Sequence, residues 1–316
     1  MGRHALWRLV QAGPLLLLVS LISFSLLHLA PGDPALLMAG MGATPDMVEQ
    51  VRHNLGLDQP LHVQLGLFYL HLAEGDLGRS FVLGQPVSAA ILQRAPVSIA
   101  IGAYSMVLTI IFGLTTGIAA AVRHNRWTDQ VVTVIALVGV SMPNFWLALV
   151  MIVLFGVHLG WFPTGGYVPP VEDFAGWLRT ATMPAVALAL MQVGLLTRIT
   201  RATMLEVLGQ DYIRTARAKG LGEGLVIWKH ALANTTIPVI TMVGLILSVL
   251  FSGSIVIETV FSVPGVGSLL GSAILSRDYP VIQGGLLFVA AALLLLNVGV
   301  DLMYAAFDPR VRIGGR

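Results

Sequence analysis

The sequence has no cysteine, few charges and no clustered histidines, and each shortage excludes a class of protein. Without cysteine the chain forms neither a disulfide nor a thiolate metal site. Its eight histidines include no HxxxH or HExxH pair, so we expect no metal centre and no cofactor in this chain. Charged residues make up only 11% of the 316 positions and hydrophobic residues 56%. These proportions exclude an ordinary soluble domain and indicate a polytopic membrane protein.

Motifs for catalysis and for energy coupling are missing as well. There is no GxxxxGK[ST] phosphate loop, so we do not expect this chain to bind ATP, and there is no Gly-x-Ser-x-Gly elbow of a serine hydrolase. Ion-driven carriers usually place ionisable groups at mid-membrane. Here the spans have none except Asp301, which follows the last charge-free run at its inner end, one helical turn after Asn297. We favour a structural role for Asp301 and predict a non-enzymatic protein.

Six charge-free runs are candidates for crossing a bilayer, which takes about 20 apolar residues. They cover residues 9–30, 97–122, 131–157, 181–197, 235–257 and 279–300. The fourth is the weakest, because it is short and has Pro184 near its start. In the third, Pro143 removes a backbone donor, so we expect a kink there. In the second, Gly113 and Gly117 form a GxxxG pair that lets another helix approach closely.

The positive charges indicate how these spans are oriented. With the N-terminus inside, the inner segments hold thirteen of the eighteen Lys and Arg residues and the outer segments hold five. The positive-inside rule therefore predicts that both termini are cytoplasmic. A cleaved signal peptide is the alternative interpretation of the first run, since Arg3 and Arg8 precede it, but signal cores have only about 7 to 15 residues.

The fold class expected from these runs is an all-α polytopic membrane protein with six transmembrane helices. Its predicted parts are an N-terminal tail and first transmembrane helix (1–30), an extracytoplasmic helical insertion (31–96), a core transmembrane domain (97–306) with a polar loop at 206–236, and a cytoplasmic tail (307–316). Within the insertion, amphipathic helices are predicted from Thr44-Pro45 to Gly56 and from Pro60 to about Ala73, and a third from Pro86.

Residues 210–238 form the one polar island in the second half of the chain. Asp211 can cap or charge the start of a short helix, Gly220 can take the left-handed conformation that stops it, and Leu221 can fold back on its last turn. Gly222 then starts a second helical run toward Pro238. This pattern predicts a compact helix-turn-helix, and a solvated loop with good caps is the simpler alternative.

The segment TARAKGL, followed by HALANTTIP, resembles the cytoplasmic EAA loop of ABC-importer permeases, in the form found in the dipeptide and oligopeptide branch. Gly220 matches the glycine of the motif and Ala216 its second alanine, whereas Arg214 and Thr215 stand where Glu and the first Ala would be. The likeness extends over nearly the whole chain. It includes residues 31–34, 55–61, 75–80, 141–146, 159–163, 258–267, 277–283 and 308–310.

The resemblance implies the first-permease (B-type) subunit of a type I importer in the bacterial inner membrane. Its implied partners are a second related permease, two ATP-binding subunits that carry ATP and Mg, an extracytoplasmic solute-binding protein and membrane lipid. The family also implies a short helix that dips back between the fifth and sixth spans. No aromatic-basic pattern suggests a nucleic-acid partner.

Two sets of site residues follow from this resemblance. Contact with the ATPase is expected for Asp211, Tyr212, Thr215, Ala216, Arg217, Ala218, Lys219 and Gly220, with Arg217 and Lys219 supplying charge complementarity. Candidates for the pathway or its gate are Pro143, Asn144, Phe261, Pro264 and Gly265. A stand-alone secondary transporter or channel remains the alternative. The sequence does not name the substrate, which in this branch is a dipeptide, an oligopeptide, glutathione, a nickel chelate or another small solute.

Overall fold

The computed structural model describes residues 2–29, 33–39, 42–54 and 56–307, and this part of the chain is helical with no strand. The predicted features at Pro31-Gly32, Leu55, the side chain of Asp301 and residues 308–316 lie outside the described residues. The helices are α1 (Gly2–Leu29), α2 (Pro34–Ala39), α3 (Pro45–Asn54), α4 (Leu61–Ala73), α5 (Val87–Val122), α6 (Trp127–Ser141), α7 (Asn144–Met151), α8 (Phe174–Leu208), α9 (Asp211–Ala218), α10 (Glu223–Leu225), α11 (Leu232–Val260), α12 (Val266–Ser276) and α13 (Tyr279–Phe307). Wide π-helical turns extend α7 through Ile152–His158 and join α10 to α11 through Val226–Ala231.

The helices group into two compact units. One contains Val97–Val263 together with the end of α13 from Leu295, and the other contains Gly2–Pro96 together with Pro264–Leu294. The helices α5 and α13 each contribute to both units. The predicted division into tail, insertion and core domain at residues 30, 96 and 306 stays a prediction.

The core of the first unit is built around α8. This helix has 35 residues, and its N-cap is Asp173, whose carboxylate accepts a hydrogen bond from the Ala175 N–H at 3.0 Å. Its apolar residues pack against α5, α7 and α11 in a cluster that includes Ile101, Ala148, Leu188, Leu196 and Ile246. Among the described residues, it is also the best buried of the three unbroken helices that are long and apolar enough to cross a membrane. The fourth run, expected to be the weakest span because it is short, thus lies in a helix long and apolar enough to cross a membrane, since its polar flanks continue the helix at both ends and Pro184 lies inside it.

The predicted kink at Pro143 is confirmed, and it is a complete break. Helix α6 ends at Ser141, Met142 is extended (φ −85°, ψ 127°), and α7 starts again at Asn144. Proline excludes the helical conformation from the residue before it, which explains the extended Met142. The two segments meet at 101°, so residues 131–157 form two nearly perpendicular helices rather than one kinked span.

In the second unit, two of the predicted helices of the insertion are observed with their expected ends. Thr44 Oγ1 accepts the Met47 N–H at 3.4 Å at the start of α3, and Gly56 follows its end with φ +63°. Gly75, with φ +78°, follows α4. The third predicted helix starts at Val87 and continues without interruption as α5.

Helix α4 differs from the prediction in one respect, since it is not amphipathic. Apolar residues cover all its faces, none of them is buried, and it packs along the C-terminal half of α1. Three pairs mark this contact, the hydroxyls of Ser20 and Tyr69 at 3.1 Å, the rings of Phe24 and Phe68 at 5.6 Å, and His28 with Gln64 at 2.9 Å. Its uniform apolar surface follows from packing beside another apolar helix rather than on a polar surface.

Candidate functional site

The short helix predicted in the polar island is observed as α9, Asp211–Ala218, with Gln210 at its N-cap. No side chain caps the amide groups at its start. Asp211 lies in the first turn, where its negative charge interacts favourably with the helix dipole. Its carboxylate is 3.5 Å from the Arg214 guanidinium. Asp211 therefore charges the start of the helix and does not cap it.

The end of α9 is the left-handed glycine stop that the sequence predicts. Gly220 has φ +80°, and its N–H donates to the Arg217 carbonyl at 2.9 Å. The Leu221 N–H donates to the Ala216 carbonyl at 3.3 Å, which completes a Schellman motif. A Cβ at Gly220 would meet no atom within 4 Å, so the glycine is needed for its conformation and not for space.

The inner face of α9 is apolar and is buried against the ends of its neighbours. Ile213 is fully buried and Ala216 is 7% exposed. Their cluster includes Ala121 at the end of α5, Met204 in α8 and Val226 beyond α10. The second helical run predicted from Gly222 is thus confirmed, and it packs on the first. Ile213 was missed as a site residue, although its spacing from Ala216, three residues on, is that of one helix face.

The outer face of α9 is polar and exposed. The exposed residues among those predicted to contact an ATPase are Asp211, Tyr212, Thr215, Arg217, Ala218, Lys219 and Gly220. The Arg217 guanidinium pairs with the Glu223 carboxylate at 2.8 Å, which joins α9 to α10 across the turn. Within the described part of the chain Lys219 has no ion pair. At the end of this helix, Lys219 therefore carries the positive charge that no neighbouring carboxylate offsets.

Close helix contacts support α8, the helix that leads into α9. A Cβ at Gly113 or Gly117 would lie within 2.8 Å of side chains on α8, Leu196 and Thr200 respectively. The Thr116 and Thr197 hydroxyls lie 2.7 Å apart across the same contact. The GxxxG pair therefore does let α5 approach α8 closely, as the sequence predicts.

An ion pair near this site, between a buried carboxylate and a partly exposed guanidinium, was not predicted. The Asp129 carboxylate, whose side chain is 4% exposed, accepts hydrogen bonds from Arg201 Nε at 2.5 Å and from Arg201 Nη2 at 2.8 Å. It also accepts the Asn125 backbone N–H at 3.0 Å, and His124 Nδ1 lies at 3.3 Å. The two partners are 72 positions apart, so no local pattern indicates the pair.

The gate candidates are found in different surroundings. In the first unit, Pro143 is exposed at the break and Asn144 is half-buried. The Asn144 amide nitrogen lies 3.9 Å from the point where a Cβ on Gly253 would be. Phe261 is 1% exposed, lies in the core cluster, and accepts the Gly166 N–H at 2.9 Å through its carbonyl. In the second unit, Pro264 is exposed and Gly265 is the buried N-cap of α12. Their role in a pathway stays a prediction.

Long apolar helices with a shared buried core define this chain as a multi-pass helical membrane protein. Residues 113–313 match the family described as binding-protein-dependent transport system inner membrane component, and residues 1–102 match the N-terminal region of such membrane components. The chain belongs to this family.

Curated relatives and solved structures agree with this assignment. The chain is 42% identical to the glutathione transport system permease protein GsiC of Salmonella choleraesuis, over 99% of both chains. It is 40% identical to the dipeptide transport system permease protein DppB of Alkalihalophilus pseudofirmus, over 98% of this chain and 99% of the relative. A chain of the inward-facing MetNI methionine ABC transporter superposes with a TM-score of 0.60 at 17% identity, covering 70% of this chain and 97% of that one. This last likeness shows the fold alone.

Proposed function

We propose that this chain is the membrane-spanning permease subunit of an ATP-driven ABC importer for di- or oligopeptides or similar small solutes. The observation that carries the proposal is α9, a short helix with its apolar face buried against three neighbouring elements and its polar face exposed. Relatives of nearly the same length are named as permeases of dipeptide and glutathione transport systems. Their names support the substrate class proposed here.

In this proposal α9 is the coupling helix, and its exposed residues dock an ATPase subunit, one of two in the complex that bind ATP and Mg. The partners include a second related permease, which shares the pathway, and an extracytoplasmic solute-binding protein, which delivers the substrate. Six transmembrane helices with both termini in the cytoplasm complete the arrangement. Among the described residues, three helices are long and apolar enough to cross a membrane, or five if each bent pair of helices counts as one span. Helix α1 covers the remaining apolar run, residues 9–30, up to Leu29.

The geometry of α9 suits a lever. ATP binding would draw the ATPases together and move α9, and a helix held by Ile213 and Ala216 would pass that motion to α5 and α8. A loop without such anchors would lose the displacement before it reached the membrane.

Purification of the tagged chain from its native host, with mass spectrometry of whatever accompanies it, tests the assembly. We expect two ATPases, or two copies of one, and a related permease. Recovery of the chain alone, repeated after cross-linking, would favour the alternative of a stand-alone transporter or channel. Uptake that responds to an ion gradient and survives loss of the ATPases would have the same meaning.

The double change Tyr212→Ala and Lys219→Ala tests the docking face. Both side chains are exposed, so we expect the variant to reach the membrane while the ATPases are lost from the purified complex. The matched control is Arg123→Ala, which removes an exposed positive charge from another loop on the same predicted side of the membrane. Equal loss of ATPase from control and variant would contradict the assignment of α9 as the docking helix.

A further inference from the structure

Helix α6 lies antiparallel against α8 along most of its length. Two glycines allow the backbones to approach closely, since a Cβ at Gly194 would lie 2.5 Å from the Ala136 carbonyl and one at Gly139 would lie 3.2 Å from the Leu190 carbonyl. The opposite face of α6 is exposed in this chain, including Val134, Ile135 and Val138. Helix α8 is thus the main support of α6 within the described part of the first unit.

The Asp129–Arg201 ion pair joins α6 to α8 at the end of their contact that lies nearest α9. Both guanidinium nitrogens that face the carboxylate donate to it, so the contact fixes orientation as well as distance. The Asn125 N–H holds the same carboxylate from the loop before α6. Asp129 is therefore held from two elements at once, α8 and the α5–α6 loop.

The ion pair also lies close in sequence to the anchor of α9. Arg201 is one helical turn before Met204, which packs under Ile213 in the buried cluster. The other end of α6 is the break at Met142-Pro143, followed by the gate candidate Asn144. A displacement of α9 that moves the end of α8 therefore acts on the same turn of α8 that holds Asp129.

We propose that the Asp129–Arg201 pair is a clamp that makes α6 move with α8, so that motion of the coupling helix reaches the Pro143 break. This inference rests on the proposed function and assigns Asp129 and Arg201 as positioning residues, since neither is placed in contact with substrate or nucleotide. An ion pair suits this task because loss of Arg201 would leave the Asp129 carboxylate, which is 4% exposed, buried and unpaired, and this favours the closed pair over a partly separated one.

The test uses the complete importer in proteoliposomes, with its ATPases and binding protein, and measures peptide taken up per ATP hydrolysed. For Asp129→Asn and Arg201→Gln we expect this ratio to fall about tenfold while ATP hydrolysis and ATPase binding persist, because the coupling and not the docking is lost. The matched control is Arg198→Gln, which removes an exposed positive charge from the same helix. A wild-type ratio in both variants would overturn the clamp.

A second experiment distinguishes a clamp from a contact that merely stabilises the fold. Because the chain has no cysteine of its own, Asp129→Cys with Arg201→Cys introduces one defined thiol pair. We expect a short, cleavable thiol linker to restore the uptake ratio that the unlinked double variant loses, and cleavage of the linker to remove it again. A linked complex that stays as uncoupled as the unlinked one would overturn the proposal, since the two helices would then have to separate during transport.

Two further comparisons keep the outcome clear. If Asp129→Asn or Arg201→Gln fails to reach the membrane, Arg201→Lys takes its place, because lysine keeps the charge and loses the two-point contact. We expect this variant to give an intermediate ratio of peptide taken up to ATP hydrolysed. A wild-type ratio in Arg201→Lys would count against the clamp. Failure of the proposed function would show separately, as absence of ATP-dependent uptake by the wild-type assembly.

Discussion

Two short helices of this chain end in the same turn, and they differ in what holds that turn. Helix α9 ends at Gly220, with φ +80°, and α12 ends at Arg277, with φ +58°. In both, the next residue donates its N–H back to the carbonyl five positions earlier, Leu221 to Ala216 and Asp278 to Ala273. The left-handed conformation is easy for glycine and costs an ordinary residue about 1 to 2 kcal/mol.

Tertiary contacts hold the turn at Arg277. The Asp278 carboxylate is buried and accepts hydrogen bonds from the Ser80 hydroxyl and from the Val82 N–H at 3.4 Å. The first turn is thus encoded by its own residue, and the second by residues 196 to 198 positions away.

The surfaces of the two helices also differ, since α9 is largely exposed and most residues of α12 are buried or half-buried by its neighbours. Helix α9 exposes charged and polar side chains, while α12 buries Val266, Leu269, Leu270 and Ala273 against the starts of α5 and α13. A locally stable turn lets α9 keep its outer face exposed. The turn after α12 depends on its packing, so that helix serves the fold of its own unit.

The largest effect is expected from Gly220→Pro. Proline cannot adopt a positive φ and has no N–H to donate to Arg217, so both features of the turn are lost. We expect the variant to reach the membrane and to lose transport, measured as ATP-dependent peptide uptake. Gly222→Pro is the matched control, because Gly222 has φ −61° and donates no hydrogen bond among those the structure gives. Normal uptake by Gly220→Pro would refute the proposal that α9 acts as a lever between the ATPases and the membrane helices.

A smaller effect is expected from Asp278→Ala, which removes the tether of the second turn. The buried Ser80 hydroxyl and the Val82 N–H lose their acceptor, at a cost of about 1 to 3 kcal/mol in unfolding free energy. Thermal unfolding of the purified protein in detergent measures this loss. Asp278→Asn keeps an acceptor oxygen and should lose less; equal loss in the two variants would mean that the hydrogen bonds do not hold the turn.

The smallest effects on the unfolding free energy should come from exchanging the left-handed residue itself, and only the change at Gly220 should be destabilising. Gly220→Ala should lower the unfolding free energy by about 1 kcal/mol, since alanine is strained at this φ although nothing crowds it. Arg277→Gly should leave stability unchanged or raise it by less than about 1 kcal/mol, because relief of strain is offset by the greater freedom of glycine in the unfolded chain.

Gly224→Ala is the control for both, because Gly224 lies in α10 with open space around it and no positive φ. There alanine should stabilise by about 0.5 to 1 kcal/mol. Destabilisation at residue 224 as large as at residue 220 would show that the loss at Gly220 is not a matter of backbone conformation.

Two prolines show where prediction from sequence ends. Pro143 and Pro184 both lie in apolar runs, and the chain breaks at the first and continues as a helix through the second. Proline removes one hydrogen bond at either position, but α8 is packed on several sides around Pro184 and α6 is exposed on one face. Packing decides whether the helix continues, and packing is not visible in a local run of residues.

The amino-acid sequence by itself determined the apolar runs, the short helix of the polar island and its stop at Gly220, because these depend on composition and on neighbours within a few positions. Only the tertiary structure decided that Ile213 anchors this helix, that Phe261 belongs to the core, and that Asp129 pairs with Arg201. Each of these depends on residues brought together from distant parts of the chain, where burial sets the strength of a contact and sequence distance says nothing about it.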